Sequence, residues 1–163
     1  MVRFLPLLVA ALFFGPRDRA AFEAPDCPVT IDLPGEVETV ADTLHLASGT
    51  AAELYEYSAE LDSTSFLVQC GPNAGEGFGP ALLDLVGHRA EEEYTEEGVT
   101  ARATKADGYP AIQTVEVFDF LDPPFVEHRL VVLTDGYTYV LSTGPYTRQA
   151  DLKRFFGSFR VRR

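Results

Sequence analysis

Two β-rich runs, Phe125 to Thr134 (FVEHRLVVLT) and Tyr137 to Thr143 (YTYVLST), meet across the single dipeptide Asp135-Gly136. An Asp-Gly pair in that position is the strongest short hairpin signal a sequence carries. A tight two-residue turn matched to strand twist needs positive backbone φ, which glycine supplies without strain. A hairpin alone is marginal in water and must be completed by further strands or by a helix. The chain therefore has to be read for what pairs with and covers this one.

Upstream, Val29 to Leu33 alternates apolar and polar residues and stops at Pro34-Gly35, a strand followed by a turn. Thr43 to Leu46 and Ala52 to Tyr57 are weaker strand candidates on either side of Ser48-Gly49; the second also fits one helical turn and is read as strand. Ser65 to Cys70 is a clearer strand, followed by a glycine-rich stretch, Gly71 to Gly79. Pro80 then opens a predicted helix at its favoured first position. Leu82, Leu83, Val86, Ala90 and Tyr94 form the apolar stripe of that helix, and Gly98 ends it. Val99 to Thr104 reads as a strand, Asp107-Gly108-Tyr109-Pro110 as a turn, and Ala111 to Asp119 as a run with Gln113, Val115 and Val117 on one face and Ile112, Thr114, Glu116 and Phe118 on the other. Thr147 to Phe159 closes the chain as a helix with Leu152, Phe155, Phe156 and Phe159 on its apolar side. Strands and helices in this order predict an α+β fold, an antiparallel sheet with helices packed against it.

The amino terminus has a different character. Arg3 precedes Phe4 to Phe14 (FLPLLVAALFF), eleven residues without a polar side chain. A secretory signal uses a basic start and about 7–15 apolar residues, whereas a membrane span needs about 20. Residues 1–24 are therefore read as a signal peptide cut after Ala21 or Ala24, and residues 25–163 as one α+β domain with no membrane span. A buried amino-terminal helix or strand is the alternative. Ala24-Pro25-Asp26 before Cys27 lacks the pattern of a lipid-anchor site. In an oxidising compartment the two cysteines, Cys27 and Cys70, are expected to form a disulfide, against the alternative of two buried thiols.

A hydrophobic fraction of 46% in 163 residues is enough for one core. The formal charge of −12 argues against a nucleic-acid partner, because such binding neutralises phosphates. Glu91, Glu92, Glu93, Glu96 and Glu97, and the basic last eleven residues, read as solvated surface.

Leu33-Pro34-Gly35, Gly108-Tyr109-Pro110-Ala111, the hairpin Arg129 to Leu141, and Phe155-Phe156-Gly157-Ser158-Phe159 recur in this order and spacing across Cys27 to Val161. With them the chain resembles small exported bacterial proteins of the PsbP-like class. That α/β/α sandwich is shared by the photosystem II extrinsic protein PsbP, a eukaryotic Ran-binding protein and LpqN-type lipoproteins. The resemblance implies a sandwich fold and an accessory or binding role, and it brings no catalytic residues.

Nothing in the residues themselves adds a catalytic motif. His45, His88 and His128 lie in different elements without metal-ligand spacing, so no metal or cofactor is expected. No serine stands in a Gly-x-Ser-x-Gly setting, and Ser158 reads as a helix-ending backbone contact. The glycine-rich stretch lacks the Gly-Lys-Ser/Thr ending of a phosphate loop. Asp119 and Asp122 read as a solvated loop. The function expected is that of an exported, non-catalytic domain acting through protein contacts. Phe78 and the Pro123-Pro124-Phe125 loop are its candidate contact surface, since exposed loop aromatics suit recognition. The alternative is a module binding a small apolar ligand in a cleft between sheet and helix, lined by Tyr55, Tyr57 or Tyr139, and a hydrolase is third.

Overall fold

The computed structural model describes residues 21–45, 51–73, 95–96, 99–119 and 124–163. Its strands are β1 (Ala21–Glu23), β2 (Val29–Asp32), β3 (Glu38–His45), β4 (Ala51–Leu61), β5 (Thr64–Pro72), β6 (Thr95–Glu96), β7 (Val99–Ala106), β8 (Tyr109–Phe118), β9 (Phe125–Leu133), β10 (Tyr137–Thr143) and β11 (Arg160–Val161); α1 (Gln149–Gly157) is the helix among the described residues. All pairings are antiparallel. The main sheet runs β3-β4-β5-β10-β9-β8-β7-β6, and a small sheet runs β1-β2-β11.

This corrects the predicted α+β class. Among the described residues the protein is mostly β, with 64% strand against 8% helix. The main sheet is covered by the small sheet and α1 rather than by helices alone. Strands of two to four residues carry no legible periodicity, so β1 and β11 did not show in the sequence. The predicted helix from Pro80 lies largely outside the described residues. Where its end is described, Thr95–Glu96 pairs with Val99-Thr100, so it does not run to Gly98.

Alternation along each strand decides which residues enter the core. Tyr57 and Ala59 on β4, Phe66, Val68 and Cys70 on β5, Tyr139 and Leu141 on β10, and Leu130 and Val132 on β9 all face one side. Ala24, Cys27, Val29, Ile31 and Leu33 close over them from the small sheet and its flanks, with Phe155 and Phe159 from the helical segment. Phe155 meets Phe66 edge-on at 5.3 Å and Phe159 meets Tyr139 at 5.2 Å. Each such ring adds roughly 1.5–3 kcal/mol by burial alone. Ser158 joins the layers: its hydroxyl donates to the Phe155 carbonyl at 2.8 Å and accepts the Asp32 N–H at 2.9 Å. Arg154 adds an ion pair to Asp32 at 2.8 Å.

The turns divide into two kinds. Asp107-Gly108 (φ 49° and 85°) and Asp62-Ser63 (φ 50° and 65°) both put two successive residues in the left-handed region, the tight hairpin geometry. The first carries a glycine that signals it in the sequence; the second carries none. At Asp135-Gly136 the hairpin forms as predicted, joining β9 to β10, but Gly136 does not have positive φ. The Thr134 hydroxyl accepts the Tyr137 N–H at 3.1 Å and donates to the Tyr137 carbonyl at 2.9 Å. A side chain thus closes the turn, and the left-handed backbone is not needed. Asn73, just past the end of β5, braces it by donating its N–H to the Gly136 carbonyl at 2.9 Å and its Nδ2 to the Thr134 carbonyl at 2.7 Å.

Candidate functional site

Cys27 and Cys70 form a disulfide, with Cα atoms 6.5 Å apart and both residues buried. It ties the segment before β2 to the middle of β5. Arg162 reinforces that segment by donating Nη2 to the carbonyls of Ala24 and Cys27.

Among the candidate contact residues, Phe78 and Pro123 lie outside the described residues. Pro124 is exposed. Phe125 opens β9, where it is half-buried and meets Phe118 edge-on at 5.3 Å.

The tyrosines expected to line a ligand cleft are largely structural. Tyr57 and Tyr139 are fully buried. Burial holds the Tyr57 hydroxyl above its ordinary pKa. It pushes Tyr139 up to about 12, with Tyr137 and Tyr109 adding to the effect. Tyr55 is half-buried and donates its hydroxyl to the Glu53 carboxylate; that bond is the main reason its pKa rises to about 12.

The histidines do not meet in the described structure. His88 lies outside it, and His45 ends β3. His128 sits on β9 opposite Thr143, and its Nδ1 is buried without a hydrogen-bond partner. Burial lowers its pKa. Asp119 is exposed, and Asp122 lies outside the described residues.

Two clefts remain. The smaller, about 220 Å³, lies beside the β4–β5 turn and the start of α1, lined in part by Asp62, Phe66, Tyr146 and Arg148. Its guanidinium is already committed to Asp151 at 2.7 Å. Its volume falls below the roughly 300–1,000 Å³ usual for ligand sites.

The larger, about 670 Å³, is formed by β3, β4, β5 and the segment leading into β3. Glu56, Ser58 and Glu60 alternate with the core residues Tyr57 and Ala59, so they point away from the core; Ser65 and Leu67 do the same on β5. Glu38 pairs with Ser58 and brings its carboxylate to the same side. Glu36 and Val37 complete the rim.

This cleft is strongly one-signed. Gln69 donates to Glu56 at 3.0 Å. Glu36, Glu38 and Glu60 have no ion-pair or side-chain hydrogen-bond partner among the described residues. From Ala20 to Asn73 the chain has ten carboxylates and neither lysine nor arginine. Charges of one sign lining a concave wall focus the field and draw in counter-ions. No group of three or more His, Cys, Asp or Glu among the described residues converges to hold a metal ion. The arrangement is a broad acidic wall suited to an extended cationic group.

Sequence reasoning took its acidic signal from the glutamate run at 91–97 and passed over this one. The missing signal was the absence of cations over fifty residues, more telling than any local run of acids. No family model matches the chain, and no curated protein is significantly similar to it.

Proposed function

We propose that this protein is an exported, non-catalytic binding domain whose acidic cleft on β3, β4 and β5 takes a cationic partner protein. The observation that carries the reading is a 670 Å³ cleft lined by carboxylates, of which Glu36, Glu38 and Glu60 have no partner among the described residues, in a part of the chain without lysine or arginine. Carboxylates left unpartnered beside one another repel, a cost that a cationic partner removes. The residues around Phe118 and Phe125 contribute at most a separate apolar contact.

Export rests on the apolar run Phe4 to Phe14 and on the buried Cys27–Cys70 disulfide, a bond at home in oxidising compartments. No helix among the described residues is long and apolar enough to cross a membrane. Of the two cut sites, the one after Ala21 fits the fold better. It retains Phe22, whose ring lies 5.3 Å from that of Tyr57, and Ala24, which is fully buried. Cutting after Ala24 would remove both. Intact-mass analysis of the exported protein should therefore place the first residue no later than Phe22, with no free thiol.

The binding reading is tested by capture from the native envelope fraction on immobilised protein, compared with a Glu36→Gln, Glu38→Gln, Glu60→Gln variant. A basic protein retained by the first and released by the second, or by raised salt, is the expected result. Identical capture by both would refute the acidic cleft as the contact surface.

A further inference from the structure

β3 is the outermost strand of the main sheet, and its far side has no neighbour among the described residues. Edge strands present a row of unpaired N–H and C=O groups, and proteins usually blunt them with bulges, prolines or lysines. Here the register from Glu38↔Ser58 to His45↔Ala51 is continuous, without a bulge. Glu38 to Thr43 are all exposed, Val40 at 55%.

One hydrogen bond shows which groups face outward. The Thr43 N–H is donated to the Asp42 carboxylate at 2.7 Å instead of to β4. In an antiparallel pair, alternate residues turn both N–H and C=O to the same side. Thr39 and Ala41 share the parity of Thr43, so their backbone groups also point to the open side, with no side chain bonded to them. Val40 belongs to the set that faces β4.

The occupant follows from charge. Glu38 lies on β3 itself, Glu56 stands behind it on β4, and Glu36 lies just before it. A second copy of this chain, with net charge −12, would bring the same carboxylates against themselves. A strand of alternating basic residues would place its cations, at every second position, on the acidic side of the sheet.

Resting on the acidic-cleft reading above, we propose that an extended cationic segment of the partner protein adds to β3 as a further strand of the main sheet. It hydrogen-bonds Thr39 and Ala41 through its backbone and sets alternate lysine or arginine side chains against Glu36, Glu38 and Glu56.

The test uses the oxidised exported protein and a capped nonapeptide alternating lysine with threonine or valine. Three companions are the same peptide N-methylated at alternate residues, its glutamate counterpart, and the protein variant Glu36→Gln, Glu38→Gln. The unmodified peptide should bind saturably. The glutamate peptide should fail, and the N-methylated peptide should bind at least roughly tenfold more weakly, the equivalent of about 1.4 kcal/mol. Hydrogen exchange read by NMR should slow at the Thr39 and Ala41 amides and stay unchanged at Val40.

Equal affinity for the N-methylated peptide, or protection elsewhere than Thr39 and Ala41, overturns strand addition. Protection of these amides in a peptide-free dimer overturns it in favour of self-pairing. If strand addition fails while capture of a basic protein still depends on the glutamates, the cleft reading survives alone. If capture is indifferent to them, the cleft itself falls.

Discussion

Replacing Cys27 and Cys70 together by alanine opens a loop of 43 residues of sequence separation that contains β2, β3, β4 and most of β5. On the chain-entropy account, closing a loop of that length lowers the entropy of the unfolded chain by an amount worth about 4 kcal/mol at 25 °C. For a chain of this size, such a loss corresponds to a fall in Tm of roughly 8–16 °C. The native fold should survive the change. The Ala24 N–H still reaches the Val29 carbonyl at 3.0 Å, and Arg162 still holds the Cys27 carbonyl at 2.8 Å. Thermal and urea unfolding of three samples separates the contributions. The oxidised protein sets the reference, the reduced and alkylation-checked protein keeps both sulfurs but opens the loop, and the alanine pair also removes the sulfurs. Most of the loss should appear on reduction, with an unchanged far-ultraviolet spectrum and a larger denaturant m-value, because the unlinked unfolded chain exposes more surface. A reduced protein whose Tm falls by less than about 2 °C would refute the loop argument. It would mean that the unfolded chain is already confined without the bond.

Three further outcomes follow from side-chain environments. A Cβ on Gly144 would stand 2.5 Å from the Ser65 Oγ; Gly144→Ala should cost about 1–3 kcal/mol in urea unfolding, and adding Ser65→Ala should restore much of it. The Thr143 hydroxyl is buried with no partner among the described residues, so Thr143→Val should be neutral or stabilising, and a loss above about 1 kcal/mol would mean the hydroxyl is bonded after all. Tyr139 is held protonated in the fold up to about 12, against 10.0 ordinarily. Its contribution to stability is therefore intact below pH 10 and is lost as pH rises toward 12, where the unfolded chain has given up its proton and the native one has not. Spectrophotometric titration should show one late phenol fewer in Tyr139→Phe than in the wild type, with Tyr55 titrating late in both.

How far the sequence discloses this fold depends on where the information is stored. The β9–β10 hairpin, the turn between β7 and β8 and the aromatic side of α1 are legible because each is carried by neighbouring residues. The β4–β5 hairpin is not, because Asp62-Ser63 reaches the left-handed region without glycine. β4 itself blurred the strand pattern. It places Leu54 on the acidic side and the small residue Ala59 in the core, so its apolar period is not two. The covering sheet was lost for another reason: β1 and β11 are short, distant in sequence, and defined only by their shared partner β2. The disulfide was legible by counting cysteines, and its geometry by nothing in the sequence.

The acidic cleft shows why a composition can be visible while its meaning is not. Ten carboxylates without a cation between Ala20 and Asn73 are plain in the sequence, but Asp26, Asp32 and Glu53 belong to other surroundings. Asp32 is paired with Arg154, and Glu53 accepts the Tyr55 hydroxyl. Only the pairing of β3 with β4 places Glu38 and Glu56 on one side and leaves Thr39 and Ala41 with open backbone groups. The same carboxylates then act in two directions. Facing a second copy of the chain they are a barrier, protecting an unbulged edge that carries Val40 in the open. Facing a basic strand they are an attraction of the same origin. An edge guarded by lysine would exclude that strand and favour an acidic one instead. One guarded by glutamate discriminates, and the discrimination should weaken with salt, because exposed charges are screened over about 8 Å at physiological ionic strength. Loss of lysine-peptide binding with rising salt, without loss of the Val40 protection that belongs to β3 and β4, would separate the guard from the strand it protects.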